Sequence, residues 1–131
     1  MVAIPEPVAR IIKHPEARKV LATVSPEGEP HAIVCASLVL FDDNICAADV
    51  FMTRTALYLE NNPNVEFLVW QGRDAYSIKA KLLERVVEGE IFDKMAASLE
   101  KYNMVAEAVY IFEATEIWDE SASKSAGEKV I

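Results

Sequence analysis

Polar and apolar residues alternate most cleanly from Tyr76 to Val87, where Tyr76, Ile78, Ala80 and Leu82 interleave with Ser77, Lys79 and Lys81. A period of two marks a strand with one core face and one wet face. Between Glu90 and Tyr102 the period lengthens: Ile91, Met95 and Leu99 recur every four residues, with Phe92 on the same side and Asp93, Lys94, Glu100 and Lys101 opposite. That spacing predicts an amphipathic helix. Further strands are predicted at Lys19–Val24, His31–Phe41, Ile45–Asp49, Val65–Trp70 and Ala108–Trp118, the last dense in β-branched and aromatic residues.

Turn chemistry places the boundaries. Pro7–Lys13 reads as a short helix closed by His14-Pro15, because proline disfavours helical geometry in the residue before it. Ser25-Pro26-Glu27-Gly28 has the type I turn pattern, and Asp42-Asp43-Asn44 makes a second tight turn. The first three strands then read as a meander. Thr53 is a candidate N-cap for a helix that ends at Asn61-Asn62-Pro63. The order becomes helix, three strands, short helix, two strands, helix, strand. Parallel βαβ winding needs a helix at nearly every crossover. Short connections favour instead a mainly β (α+β) fold, an antiparallel six-stranded barrel with flanking short helices, since closure also removes exposed edges.

The chain of 131 residues has the usual size of one domain, taken as residues 1–131 with a helix inside 1–15 and a polar tail, 121–131, expected to fray. Acidic residues outnumber basic ones by 21 to 13, for a net charge of −8. With no basic run to offset it, this charge argues against nucleic acid and against an anionic membrane surface as partners. The longest apolar run, Ala32 to Phe41, is too short to span a bilayer as a helix. No secretory signal is visible at the N-terminus, so a cytoplasmic location with two buried thiols, Cys35 and Cys46, is expected.

Candidate chemistry is sparse. His14, His31, Cys35 and Cys46 do not fall in a paired zinc spacing. No glycine-rich phosphate loop occurs, and no nucleophile has a histidine partner identifiable from spacing. The informative stretch is Thr53-Arg54-Thr55 at a helix start. Free backbone N–H groups, the positive dipole end, two hydroxyls and a forked guanidinium there suit a phosphate. A capping threonine followed by a solvated arginine explains the same residues. Val34-Cys35-Ala36-Ser37 is a run of small and medium side chains in a bulky strand, which lets a planar ring approach; ordinary core packing is the alternative.

Three ordered stretches resemble the pyridoxamine-phosphate-oxidase-like family of FMN-binding split barrels. They are Leu21–Pro30 with its turn, Thr53-Arg54-Thr55 as a phosphate site, and Leu59–Val65 with its Asn-Pro helix stop. The resemblance implies an FMN-binding homodimer with each flavin at the interface. By the same likeness, Thr53, Arg54 and Thr55 would hold the phosphate. Val34, Cys35, Ala36 and Ser37 would lie along the isoalloxazine edge, with Ala48 and Asp49 near the ring. Trp118 is a further candidate to cover a flavin across the dimer, or else an anchor of the barrel rim. Tyr102 and Met104 read as an apolar interface plug. Departures are the lone Arg54 where many members carry two adjacent basic residues, Ala80 in place of a common glycine, and no arginine-rich C-terminal segment. Pyridoxamine phosphate is therefore not the expected substrate. A small FMN-dependent oxidoreductase acting on a small-molecule redox substrate is implied. A non-catalytic FMN or electron-transfer protein, or a barrel holding a deazaflavin or haem, are the alternatives, and no catalytic side chain can be named.

Overall fold

The computed structural model describes residues 1–131. Helix α1 (Glu6–Lys13) precedes strands β1 (Arg18–Val24), β2 (Pro30–Val34), β3 (Val39–Phe41) and β4 (Asn44–Ala48). Helix α2 (Thr53–Asn61) follows, then β5 (Asn64–Gln71), β6 (Asp74–Val86), helix α3 (Glu90–Leu99), a 3₁₀ turn at Glu100–Tyr102, and β7 (Val109–Asp119). All strand pairs are antiparallel, in the order β2-β1-β5-β6-β7-β4-β3.

Seven strands stand where six were expected, because the apolar run 31–41 is bent into β2 and β3. The expected meander is not formed either. The β1–β2 and β3–β4 hairpins sit at opposite ends of the sheet order, and Cys35–Leu38 carries the chain from one edge to the other. Five peptide steps from Val34 to Val39 reach at most about 18 Å, so the two edges are brought together as a split barrel. Three contacts hold this strap. Cys35 N–H donates to Lys19 O at 2.9 Å, and Lys19 Nζ donates to Leu38 O at 3.1 Å. The Ser37 hydroxyl both accepts from Ala48 N–H at 3.0 Å and donates to Ala48 O at 3.3 Å.

The barrel interior is filled by the main core, in which Phe67 and Phe112 meet edge to face at 5.1 Å. Such pairs add roughly 0.5–1.5 kcal/mol beyond area burial. A second, smaller core lies outside the barrel wall: Met95 and Leu99 of α3 cover Cys46, Ala48, Val109 and Ile111. The four-residue spacing read from the sequence thus meets the back of β4 and β7. In consequence Ile45, Cys46, Ala47 and Ala48 are all at most 1 % exposed, since alternate residues enter opposite cores.

The polar C-terminal segment, expected to fray, turns back onto β7. Val130 N–H donates to Ile117 O at 2.8 Å, Gly127 N–H to Asp119 O at 2.7 Å, and Lys129 bridges to Trp118. The Asp119 carboxylate accepts from Ser121 N–H and Ser125 Oγ, and these bonds hold it below the usual carboxylate range.

The strap contacts generate a stability prediction. Ser37→Ala strands the backbone groups of Ala48 and should cost about 1–3 kcal/mol in urea unfolding. Thr115→Ala, which removes only an exposed hydroxyl bond to Lys79 O, should stay within about 0.5 kcal/mol. Equal midpoints for the two variants would refute the role assigned to Ser37.

Candidate functional site

The β4–α2 connection is short and tightly shaped. Asp49 is buried, and its carboxylate accepts from Met52 N–H at 3.2 Å, while its backbone pairs with Glu107 and Ala108. The turn forces Phe51 to φ +62°, an outlier for a bulky side chain, and leaves that ring 89 % exposed. Met52, and not Thr53, occupies the N-cap position and offers no side-chain cap. The first-turn N–H groups of α2 therefore lack the side-chain partner that the sequence suggested.

Three cavities with shared walls form a groove from this helix start to the strap. At one end, Arg54, His31 and Tyr58 with Ser25, Glu27 and Glu29 line about 130 Å³. A middle section of about 180 Å³ is walled by His31, Ile33, Phe51 and Met52 together with Thr53, Arg54 and Thr55. Ile33, Phe51 and Met52 continue into a chamber of about 470 Å³. Val34, Cys35, Ala36, Ser37 and Ala48 line that chamber, opposite Leu99, Tyr102 and Met104.

Charge and polarity change along the groove. Arg54 is the sole fixed cation among the lining residues, and its Nη2 donates to His31 Nδ1 at 3.0 Å. That geometry makes Nδ1 an acceptor and so places the imidazole proton on Nε2. The His31 ring also meets Tyr58 edge to face at 5.4 Å. Thr55 is 1 % exposed, and its hydroxyl has no hydrogen-bond partner within the protein. A buried, unpaired hydroxyl costs about 1–3 kcal/mol and calls for an explanation. The large chamber has two hydroxyls: Ser37, whose bonds go to Ala48, and the phenol of the exposed Tyr102.

The backbone of β2 is the other polar resource. Cys35 N–H points at β1, so alternation along the strand turns the N–H and C=O of Val34 the opposite way. As an edge strand, β2 has no neighbour on that side, and Val34 borders the chamber. Burial pushes the Cys35 thiol up to about 11 against the opposing effects of Ser37 and Lys19. Cys46 is likewise pushed up to about 11 by burial. Both are free thiols, and neither is poised as a nucleophile.

The structure thus gathers Thr53, Arg54, Thr55, Val34, Cys35, Ala36, Ser37 and Ala48 around one groove. Asp49 and Trp118 do not line it. The Asp49 carboxylate shapes the turn, and Trp118 is occupied by Lys129 and by its Nε1–H bond to Glu116. Phe51, Met52, Ile33 and Leu99 are lining residues without a recognisable local signal. His31, weighed from sequence only as a metal ligand beside Cys35, is instead the partner of Arg54.

Residues 6–127 match the family model described as pyridoxamine 5'-phosphate oxidase. The chain belongs to this family. Among solved structures of similar fold is HupZ of Group A Streptococcus, 20% identical with a TM-score of 0.80, covering 95% of this chain and 99% of its own. An FMN-binding protein of Syntrophomonas wolfei is 22% identical with a TM-score of 0.79, at 88% and 85% coverage. HutZ, a heme storage protein of Vibrio cholerae, is 13% identical with a TM-score of 0.65, at 92% and 97% coverage. At these identities the likeness to the three structures establishes the fold. No curated protein matches the chain.

Thiol burial is directly testable. Neither Cys35 nor Cys46 should react quickly with a disulfide reagent in the native protein at pH 8, and both should react once it is unfolded. Rapid native modification of one equivalent would mean that the Cys35 sulfur opens into the chamber.

Proposed function

We propose that this member of the pyridoxamine 5'-phosphate oxidase family binds FMN in the groove and acts as a small FMN-dependent oxidoreductase. The observation that carries the reading is the buried, unpartnered Thr55 hydroxyl at a helix start beside Arg54, with an apolar chamber opening from it. A phosphate seated there would take the Thr55 hydroxyl, the first-turn N–H groups of α2 and two guanidinium donors. The ring would lie against Val34, Cys35, Ala36, Ser37 and Ala48. The outward N–H and C=O of Val34 are then available to the pyrimidine edge.

Bound FMN would supply the redox chemistry. The chain's own contribution is to bind, orient and exclude water. Phe51, Tyr102 and Met104 wall the ring chamber with apolar surface. Ser37 has already donated its proton to Ala48 O and the buried Cys35 thiol holds its own, which leaves the Tyr102 phenol as the one other chamber group with a proton to give. This scarcity favours a carrier or flavin-binding role as the second reading. Against haem, the chamber holds no imidazole: His31 lies at the polar end and His14 elsewhere.

The chamber mouth supports a homodimer. Val34, Phe51 and Val105 are 79, 89 and 81 % exposed, beside Tyr102 and Met104. Apolar side chains so concentrated at the rim of a cavity mark an interface, and a second copy would cover the ring where one chain leaves it open. No helix of the chain is long and apolar enough to cross a membrane.

Fluorescence titration with FMN tests the grip. Arg54→Ala should weaken binding at least about tenfold, as expected for a charge-assisted hydrogen bond, while Arg73→Ala should match wild type. Thr55→Val should leave the ligand-free protein as stable or more so, yet bind FMN more weakly. Equal affinities for all four proteins would sink the assignment. Steady NAD(P)H consumption by the yellow protein with an added acceptor separates an enzyme from a carrier.

A further inference from the structure

We infer that His31 is a proton-linked second cation of the phosphate grip, so that FMN binding is coupled to the uptake of one proton; this rests on the FMN reading above. Two facts of the groove lead there. Its lining residues contribute one fixed cation, Arg54, for a phosphate monoester that carries close to two negative charges near neutral pH. In the ligand-free structure that cation is engaged with neutral His31, whose Nδ1 accepts from Arg54 Nη2 at 3.0 Å.

Both engagements cannot persist once a dianion arrives. A phosphate beside Arg54 competes for the guanidinium donors and favours the charged form of a neighbouring imidazole. When Nδ1 takes a proton, it ceases to accept from Arg54 and becomes a donor. The bond between the two side chains breaks, both turn their N–H groups to the phosphate oxygens, and the proton comes from solvent. His31 thereby supplies a second positive charge to a groove whose only fixed cation is Arg54.

The surroundings of His31 agree in sign. From α2 it faces Arg54 and Tyr58, and from the β1–β2 turn it faces Glu27 and Glu29, which line the same cavity. Across the ladder its partner on β1 is the uncharged Thr23. The two carboxylates favour imidazolium and oppose a bare phosphate, so the proton matters more here than it would in a basic pocket. Arg54 acts the other way, because its N–H at 3.0 Å from Nδ1 needs that nitrogen as an acceptor.

The linkage has a defined direction. Binding raises the affinity of His31 for its proton, so the contribution is complete at the acidic end. It fades as pH rises through the titration of the bound imidazole. Between pH 6.5 and 8.5, above the second proton of the phosphate itself, the FMN Kd should rise with pH, approaching about tenfold per unit for one linked proton. Riboflavin, which lacks the phosphate, should bind with a Kd independent of pH in this range. His31→Gln keeps an acceptor for Arg54 without a titratable proton; it should still bind FMN, more weakly, with the pH slope abolished. Titration calorimetry of the wild-type protein in buffers of different ionisation enthalpy should report an uptake of about one proton, a readout that needs no variant. Tight FMN binding with no pH slope, or an equal slope for riboflavin, overturns the inference and leaves the FMN reading intact. Failure of FMN to bind at any pH overturns both.

Discussion

The segment Cys35–Leu38 is the constraint on which the architecture depends. It is the one place where the chain passes between the two edges of the sheet, and its bonds to Lys19 and Ala48 fix how those edges meet. An open edge invites pairing with other chains; here each edge strand is covalently continuous with the other. The arrangement also decides what the site can be. Because β2 has a neighbour on one side only, the outward backbone groups of Val34 remain for a ligand. Because Ser37 spends its hydroxyl on Ala48, the wall of the chamber is rigid and chemically quiet.

Charge is handled by placement and not by abundance. A chain of net charge −8 sets the groove's one fixed cation, Arg54, at a helix start beside the unpaired Thr55 hydroxyl and the first-turn amides, where the proposed phosphate would sit. The opposite end of the groove is mostly apolar, and it holds no carboxylate, imidazole, lysine or arginine. Charged side chains and the imidazole are thus gathered at the polar end, while the end suited to a planar ring is left to apolar contacts and backbone. A flavoprotein of this kind would tune its cofactor through desolvation and strand backbone groups.

Periodicity made most of the fold readable in the sequence. The alternation of β6, the four-residue repeat of α3 and the proline stops all correspond to elements of the structure. The run 31–41 was misread as one strand because every residue in it is strand-compatible. Nothing local distinguishes a straight strand from one that bends at Cys35–Leu38 to change neighbours. The tail's attachment is hidden for a related reason: small polar side chains report solvation, but its bonds use backbone groups of Ile117 and Asp119. At the site, Thr53-Arg54-Thr55 and Val34–Ser37 were visible because they are contiguous. His31, Phe51 and Met52 join them only through register and turn geometry, which no window of sequence displays. Within the chain, the Asp49 carboxylate is bonded to Met52 N–H and the Trp118 Nε1–H to Glu116.

Strand β4 has no wet side, being sealed by the barrel interior in front and by α3 behind. A residue enclosed in this way cannot change size without disturbing one layer or the other, so the floor beneath the groove is closed to gradual adjustment. The groove is open to alteration at its exposed rim, at Phe51 and Tyr102–Val105, where a new side chain meets solvent instead of a packed neighbour. The fold separates an immutable foundation from an editable border, and relatives that share the barrel while differing in what they hold are the outcome such a division allows.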